Sequence, residues 1–456
     1  MTGKERLEHK AVLEDIHNRN ASLHGKREAL LRKEKLASDL ENDTFWIPHA
    51  LDFRGRLYPQ SAELNFVNDD ISRGLIQFAE RKPFGETGKY WLKIRLANSF
   101  GEDKRSFDER IEWVNENHLA ILDSAINPLD GARFWNDADE PFQFLAAANE
   151  YRNVAELGDQ AVNQIPINLD ATASGLQHLS AWTRDPVAAR AVNMTASGQR
   201  YDIYGEVANE LSKLIEEDLE SSEEARNCHG HIERRHVKRG IMTTPYSVTA
   251  QGLRDQFISD GYIDDLEGSK FRNANYLRDK LMDSLGETIT KPMQLMNYFK
   301  QVASNLAEED IPLQWRTPMG MTIRQAYWRH NKEDVQTLYG KATLWEEEPL
   351  LGIRNGKQKA ASSPNVVHSF DAAHLQATVL MGTQGSNPIT SWACVHDSIG
   401  VHACDVERLN TVIRDEYIRI YDRPVLEEFH EYQLRHGVEL PEPPVQGTFD
   451  IQEVQS

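Results

Sequence analysis

Cysteine is scarce in this chain. Cys228, Cys394 and Cys404 make an odd set without CxxC spacing, which argues against a disulfide framework and against a structural zinc site. Long apolar runs are missing too. No stretch approaches the roughly 20 consecutive apolar residues of a membrane span, and the start, MTGKERLEHK, lacks the apolar run of a signal peptide. The expectation is a soluble intracellular protein in a reducing compartment, with no membrane partner. Positive charge is also in deficit: 51 Lys and Arg face 71 Asp and Glu, a net charge of -20. That balance excludes a protein whose whole surface grips phosphates, because such binding draws on clustered cations that release counterions. Basic tracks must be local, and candidates lie at 26–35, at Arg54 and Arg56, and at 234–239; the bland reading of each is a solvated helix face, and the first suits either reading equally. Internal repeats, low-complexity tracts and Walker or GxGxxG phosphate loops are absent, so any nucleotide must be held another way.

What is present suits a globular chain. The 456 residues, 40% of them hydrophobic, allow a real core and about three domains at roughly 150 residues each. Residues 1–45 are polar, with Ile16, Leu23 and Leu30 recurring at helical spacing, which predicts one or two amphipathic helices whose narrow stripe needs covering. From Trp46 the composition turns aromatic, and DFRGRLYPQSAELNF reads as short strands and loops. Helical periodicity returns over 88–127. The apolar run QIPINLD predicts a strand stopping at Asp170, and Leu176, Leu179 and Trp182 predict a helix directly after it. Residues 190–345 read as mainly helical, with a charged patch at 215–235 as an exposed loop. Near the end, SWACVH and IGVHAC flank Asp397 and Ser398, the pattern of a tight hairpin with an aspartate at its tip.

Two aspartates at element ends suit two-metal phosphoryl transfer, in which cations roughly 4 Å apart activate the attacking oxygen and the leaving oxygen. Magnesium takes one or two carboxylates plus water and substrate phosphates, so no cage is required. Either aspartate taken alone reads first as a turn residue or a helix cap. The pair His396 and Asp397 also resembles that of metal-dependent phosphohydrolases, but a hairpin is the wrong setting for that helical ligand set. In RRHVKRGIMTTPYSVTAQGLR, Arg234 and Lys238 share a helical face with Met242 a turn on, a surface along which a triphosphate can lie with Lys238 as general acid. Pro245 should end or kink that helix just before Tyr246, leaving the tyrosine at a break, either as a base- or sugar-reading ring or as a core aromatic.

Taken in order, these segments resemble the single-subunit RNA polymerases of phages and mitochondria, distant relatives of the A-family DNA polymerases. DFRGRLY resembles the template-side segment, INLDATASGLQHLSAWTRD motif A, RRHVKRGIMTTPY motif B, SSPNVVHSFDAAHL the segment near the primer end, and VHDSIG motif C; WRTPMGMTIRQAYW and GTFDIQEV also fit. The resemblance implies an α+β right-hand fold, with a discontinuous palm carrying an antiparallel sheet and helical fingers inserted between its halves. It divides the chain into a helical extension at 1–45, palm at 46–190, fingers at 191–361 and palm again at 362–456. It implies a DNA-directed RNA polymerase acting in transcription, with two magnesium ions on Asp170 and Asp397 and Ala171 beside the first. Arg234, Lys238, Tyr246, His374 and Gly175 would then bind the ribonucleoside triphosphate, and Arg54, Arg56 and Arg73 the DNA template and RNA product. Gly175 stands where the DNA enzymes carry a glutamate that blocks the ribose 2'-hydroxyl; the space is expected to be open, with Tyr246 and nearby His374 recognising that hydroxyl. One departure is Ser247, where the family usually has glycine after the motif B tyrosine; another is Pro245 before it. Because only a short segment precedes Asp52, the chain is expected to be the catalytic subunit of a split enzyme, docking a second subunit that carries the N-terminal and thumb regions, in the cytoplasm of a phage-infected bacterium. The alternatives are an A-family-like DNA polymerase and a catalytically silent binding subunit with the same fold.

Overall fold

The computed structural model describes residues 3–196, 201–246, 248–338 and 340–455. The chain divides into two compact units, each assembled from separated segments. The first takes Met1–Leu51, Leu57–Leu169 and Gly385–Leu409; the second takes Asp52–Arg56, Asp170–Gln384 and Asn410–Ser456.

In the first unit the polar N-terminal region forms one helix, Gly3–Leu40. Ile16, Leu23 and Leu30 are all more than 40% exposed, so the predicted stripe faces solvent, while the basic cluster supplies the docking. Lys33 is buried against Asp69, and Arg32 Nε donates to Glu63 at 2.7 Å. The core lies among the helices Gly85–Phe100, Phe107–Glu116, His118–Ile126 and Pro141–Leu157, where Leu92, Leu96, Ile121 and Phe144 are sealed from water. Phe100 and Phe134 stack with centroids 4.5 Å apart, and Phe100 meets Trp113 at 4.8 Å. Ser106 and Glu109 start the second of these helices with a capping box, each satisfying an amide that the first turn leaves unpaired. Glu150 is buried and accepts from Asn163 Nδ2 at 2.5 Å and from the amides of Gln164 and Ile165 at 2.6 and 3.0 Å, and burial pushes its carboxyl up to about 7.

The strands are short. His49–Leu51 pairs antiparallel with Leu57–Pro59, and Lys82–Pro83 with Val162–Asn163. A three-stranded sheet has the order Ala393–Val395, Ser398–Val401, Ile167–Asp170. Its middle strand carries Gly400 because nothing larger fits: a Cβ there would lie 2.9 Å from Pro166 Cβ, 3.0 Å from Asn168 Nδ2 and 3.2 Å from Ala393 Cβ.

The second unit packs Leu179, Trp182, Leu211, Val237, Ile241, Leu281, Phe299, Val302, Val366 and Phe370 into one core. The helices that supply these residues are Ser174–Thr183, Ile203–Glu217, Arg234–Thr243, Lys270–Thr288, Thr290–Glu308 and Asn355–Gly382. The expected loop at 215–235 contains a further short helix, Glu223–Cys228, anchored by buried Ala225 and Cys228. The expectation of helix through residue 345 holds only as far as Glu308. Beyond it, Leu313–Arg316 and Thr322–Gln325 form one hairpin, turned at Gly320 with φ +88, and His330–Thr337 and Gly340–Glu347 form another. The first has a clear inner face, with Leu313, Trp315, Ile323 and Gln325 buried; the second has none.

Candidate active site

Asp170 closes its strand as predicted and is exposed. Ala171 and Thr172 follow, and Ala173, with φ +59, turns the chain into the helix Ser174–Thr183. Asp397 sits in a two-residue hairpin turn with His396, between the paired residues Val395 and Ser398. His396 holds φ +55, a region that a side chain bearing Cβ enters at a cost of roughly 1 to 3 kcal/mol and that collects at functional sites. The Tyr58 ring packs edge-on against His396 at 5.0 Å, which helps hold the turn. Among the described residues no three His, Cys, Asp or Glu side chains converge as a metal cage.

In the second unit, the helix Arg234–Thr243 buries His236, Val237, Gly240 and Ile241 and turns Lys238 and Met242 outward. Arg234 lies half-buried on the same side, its Nε donating to Asp202 at 2.8 Å and its guanidinium 4.9 Å from the Tyr204 ring. The helix stops where Pro245 demands, passing into a single tight turn over Thr244–Tyr246. Ser363 Oγ donates to the Pro245 carbonyl at 3.2 Å, tying this break to the helix Asn355–Gly382. Ser247 lies outside the described residues.

The space at Gly175 is not open. A Cβ there would lie 3.0 Å from Pro245 Cβ and 3.2 Å from the Tyr246 hydroxyl oxygen, so the tyrosine fills the gap that the glycine leaves. His374 is not the histidine beside it. The Tyr246 ring meets His368, centroid to centroid at 4.6 Å, whereas His374 Nε2 donates to the Ile413 carbonyl at 2.8 Å. Burial holds the His374 imidazole below its ordinary value, which keeps it neutral. Six residues along a helix amount to about 600° of rotation, so the two histidines face different ways. The histidine that packs on Tyr246 is thus His368, where the sequence reading expects His374, and helical phase relative to buried Val366 and Phe370 is the signal that separates the two.

Arg54 and Arg56 are committed within the same unit. Arg54 donates to Asp52 from Nε at 2.8 Å and to His368 Nδ1 from Nη1, also at 2.8 Å. Arg56 donates to buried Asp371 from Nη2 at 2.5 Å. Burial alone would raise the Asp371 carboxyl, but the charge and the hydrogen bond of Arg56 outweigh it and hold it below the usual range. Burial drives His178 down to about 3, so it is neutral, with its Nδ1 2.5 Å from the Tyr421 hydroxyl. Arg73 belongs to the first unit, donating to the Phe66 carbonyl at 3.0 Å with Glu140 3.6 Å away.

Comparison with known proteins agrees with these motifs. A family model described as DNA-dependent RNA polymerase matches residues 82–437. The chain is 34% identical to DNA-directed RNA polymerase 1B, mitochondrial, of Nicotiana tabacum, over 96% of this chain and 45% of that protein. It is 34% identical to DNA-directed RNA polymerase 3, chloroplastic, of Nicotiana sylvestris, over 95% and 46%. It is 33% identical to DNA-directed RNA polymerase 1, mitochondrial, of Arabidopsis thaliana, again over 95% and 46%. The chain therefore spans less than half the length of these relatives. Their names also overturn the expected setting in an infected bacterium, since they are mitochondrial and chloroplast enzymes of plants. On the family match, which runs through both aspartates, the basic helix and the Tyr246 break, this chain belongs to the DNA-dependent RNA polymerase family.

Proposed function

We propose that the chain carries out template-directed RNA synthesis, joining the 3'-hydroxyl of an RNA to the α-phosphate of a ribonucleoside triphosphate on a DNA template. Asp170 and Asp397, with the backbone beside Ala171, would hold two magnesium ions. When bound, these would supply activation of the attacking hydroxyl and stabilisation of the charge that develops on the leaving diphosphate. Lys238 and Arg234 meet the triphosphate along the outward side of their helix, and Lys238 gives a proton to the departing diphosphate. Tyr246 and His368 read the ribose. In this assignment 46–190 and 362–456 are palm, 191–361 fingers and 1–45 an extension.

The observation that carries this reading is the three-stranded sheet: the strand that ends in Asp170 runs beside the strand that follows Asp397. The family match over 82–437 supports it independently. The test is extension of an RNA primer on a DNA template with magnesium and ribonucleotides. Native chain should extend the primer, while Asp170→Ala and Asp397→Ala should each lose at least about a thousandfold in rate, as expected for removal of a major electrostatic group. Extension that survives both substitutions, or that uses deoxyribonucleotides equally well, refutes the proposal.

A further inference from the structure

Arginine carries only donors, so a guanidinium nitrogen 2.8 Å from an imidazole nitrogen admits one arrangement: Arg54 Nη1 donates and His368 Nδ1 accepts. The ring proton is then on Nε2. From this we infer that Arg54, oriented by Asp52, locks His368 in its Nε2-protonated form and so acts as a positioning residue for ribose selection, an inference that rests on the sugar-reading role proposed for Tyr246 and His368.

The lock is built in the tight turn Asp52–Arg56. Asp52 accepts from the backbone amides of Arg54 and Arg56 at 2.9 and 3.0 Å through one oxygen, and from Arg54 Nε at 2.8 Å through the other. The carboxylate thus fixes both the backbone of the turn and the plane of the guanidinium. Gly55, at φ +89, lets the turn close, and its carbonyl accepts from Gln376 Nε2 at 2.9 Å, on the helix that carries His368. This bond, the one from Arg54 to His368 and the one from Arg56 to Asp371 join the turn to that helix, and Arg54 cannot swing away without breaking the bond to Asp52. An unconstrained imidazole exchanges between two neutral tautomers, and only one offers a donor at Nε2. A ribose 2'-hydroxyl can accept that donor directly or through the Tyr246 hydroxyl. A deoxyribose cannot, and its complex lacks that hydrogen bond.

Two readouts on the full chain test this. In protein labelled with ¹⁵N-histidine, the His368 imidazole signals, identified by their loss in His368→Gln, should show a proton on Nε2 alone, and Arg54→Met should convert them to a mixture of tautomers. A proton on Nδ1 in the native chain, or signals that ignore Arg54→Met, overturns the inference. In primer extension, the ratio of kcat/KM for a ribonucleotide over its deoxy counterpart should fall about tenfold in Arg54→Met, the worth of one hydrogen bond. It should fall no further when Arg54→Met is added to His368→Gln. Additive losses in the two backgrounds would mean that Arg54 acts on something other than His368. Should Arg54→Met fold poorly, Asp52→Asn weakens the same lock from the other side and is expected to shift both readouts in the same direction. A native chain that extends primers without preferring ribonucleotides would remove the sugar-reading role, and the imidazole spectrum would still decide the tautomer.

Discussion

Substituting alanine at Gly175 separates shape from stability at the proposed sugar-reading site. Gly175 lies in the first turn of the helix Ser174–Thr183, where alanine gains at most about 1 kcal/mol over glycine. Against that gain stands the new methyl, 3.0 Å from Pro245 Cβ and 3.2 Å from the Tyr246 hydroxyl oxygen. Carbon atoms settle at about 3.5 to 4.0 Å, and overpacking of this kind costs roughly 1 to 3 kcal/mol. The proline ring cannot rotate out of the way, so the Thr244–Tyr246 turn must shift by a few tenths of an ångström. Net destabilisation should come to about 1 kcal/mol, a fall in Tm of only a few degrees. The tyrosine hydroxyl moves with the turn, and the preference for ribonucleotides over deoxyribonucleotides should drop by about tenfold, one hydrogen bond's worth. Thermal melting and paired kcat/KM measurements read the two quantities separately. A Gly175→Ala chain with undiminished sugar preference would refute the idea that the glycine exists to seat Tyr246.

Two further substitutions probe the first unit. Gly400→Ala places a methyl against Pro166, Asn168 and Ala393 in the sheet beside the Asp397 turn, so urea unfolding should show a loss of about 2 kcal/mol, whereas unchanged stability would mean that the strands have room to part. Glu150 has a folded-state carboxyl raised to about 7 by burial, so the folded chain holds a proton that the unfolded chain releases from about pH 4.5 upward. Its contribution therefore weakens as pH rises from there to about 7. Glu150→Gln cannot titrate and should gain stability relative to native across that window, in urea midpoints taken at pH 5 and pH 8. A constant difference between the two proteins would exclude Glu150 as the titrating group.

The features legible in the sequence were those with a local cause. Asp170 was placed at a strand end because an apolar run stops there, and Asp397 at a hairpin tip because two such runs flank it. Pro245 announced the end of its helix through the missing amide proton. What depended on packing between distant segments could not be read. Glycine at position 175 looked like vacant space, although a tyrosine far along the chain fills it. Arg54 and Arg56 looked like cations waiting for phosphate, yet their first partners are Asp52, His368 and Asp371. His368 and His374 are equivalent as letters and differ only in which side of one helix they occupy. The hairpin His330–Thr337 with Gly340–Glu347 shows no alternation of apolar and polar residues, because neither of its faces is buried.

That last feature has a consequence for how the molecule can change. Pairing register is enforced where one face of a strand must reach a core, and here no such demand exists. Every described residue of Gly340–Glu347 is exposed, and in His330–Thr337 only His330 and Val335 are partly covered. Lengthening, shortening or rewriting the ribbon leaves the core of its unit untouched. Mutation can therefore explore it at little thermodynamic risk, and only whatever it touches will constrain its sequence.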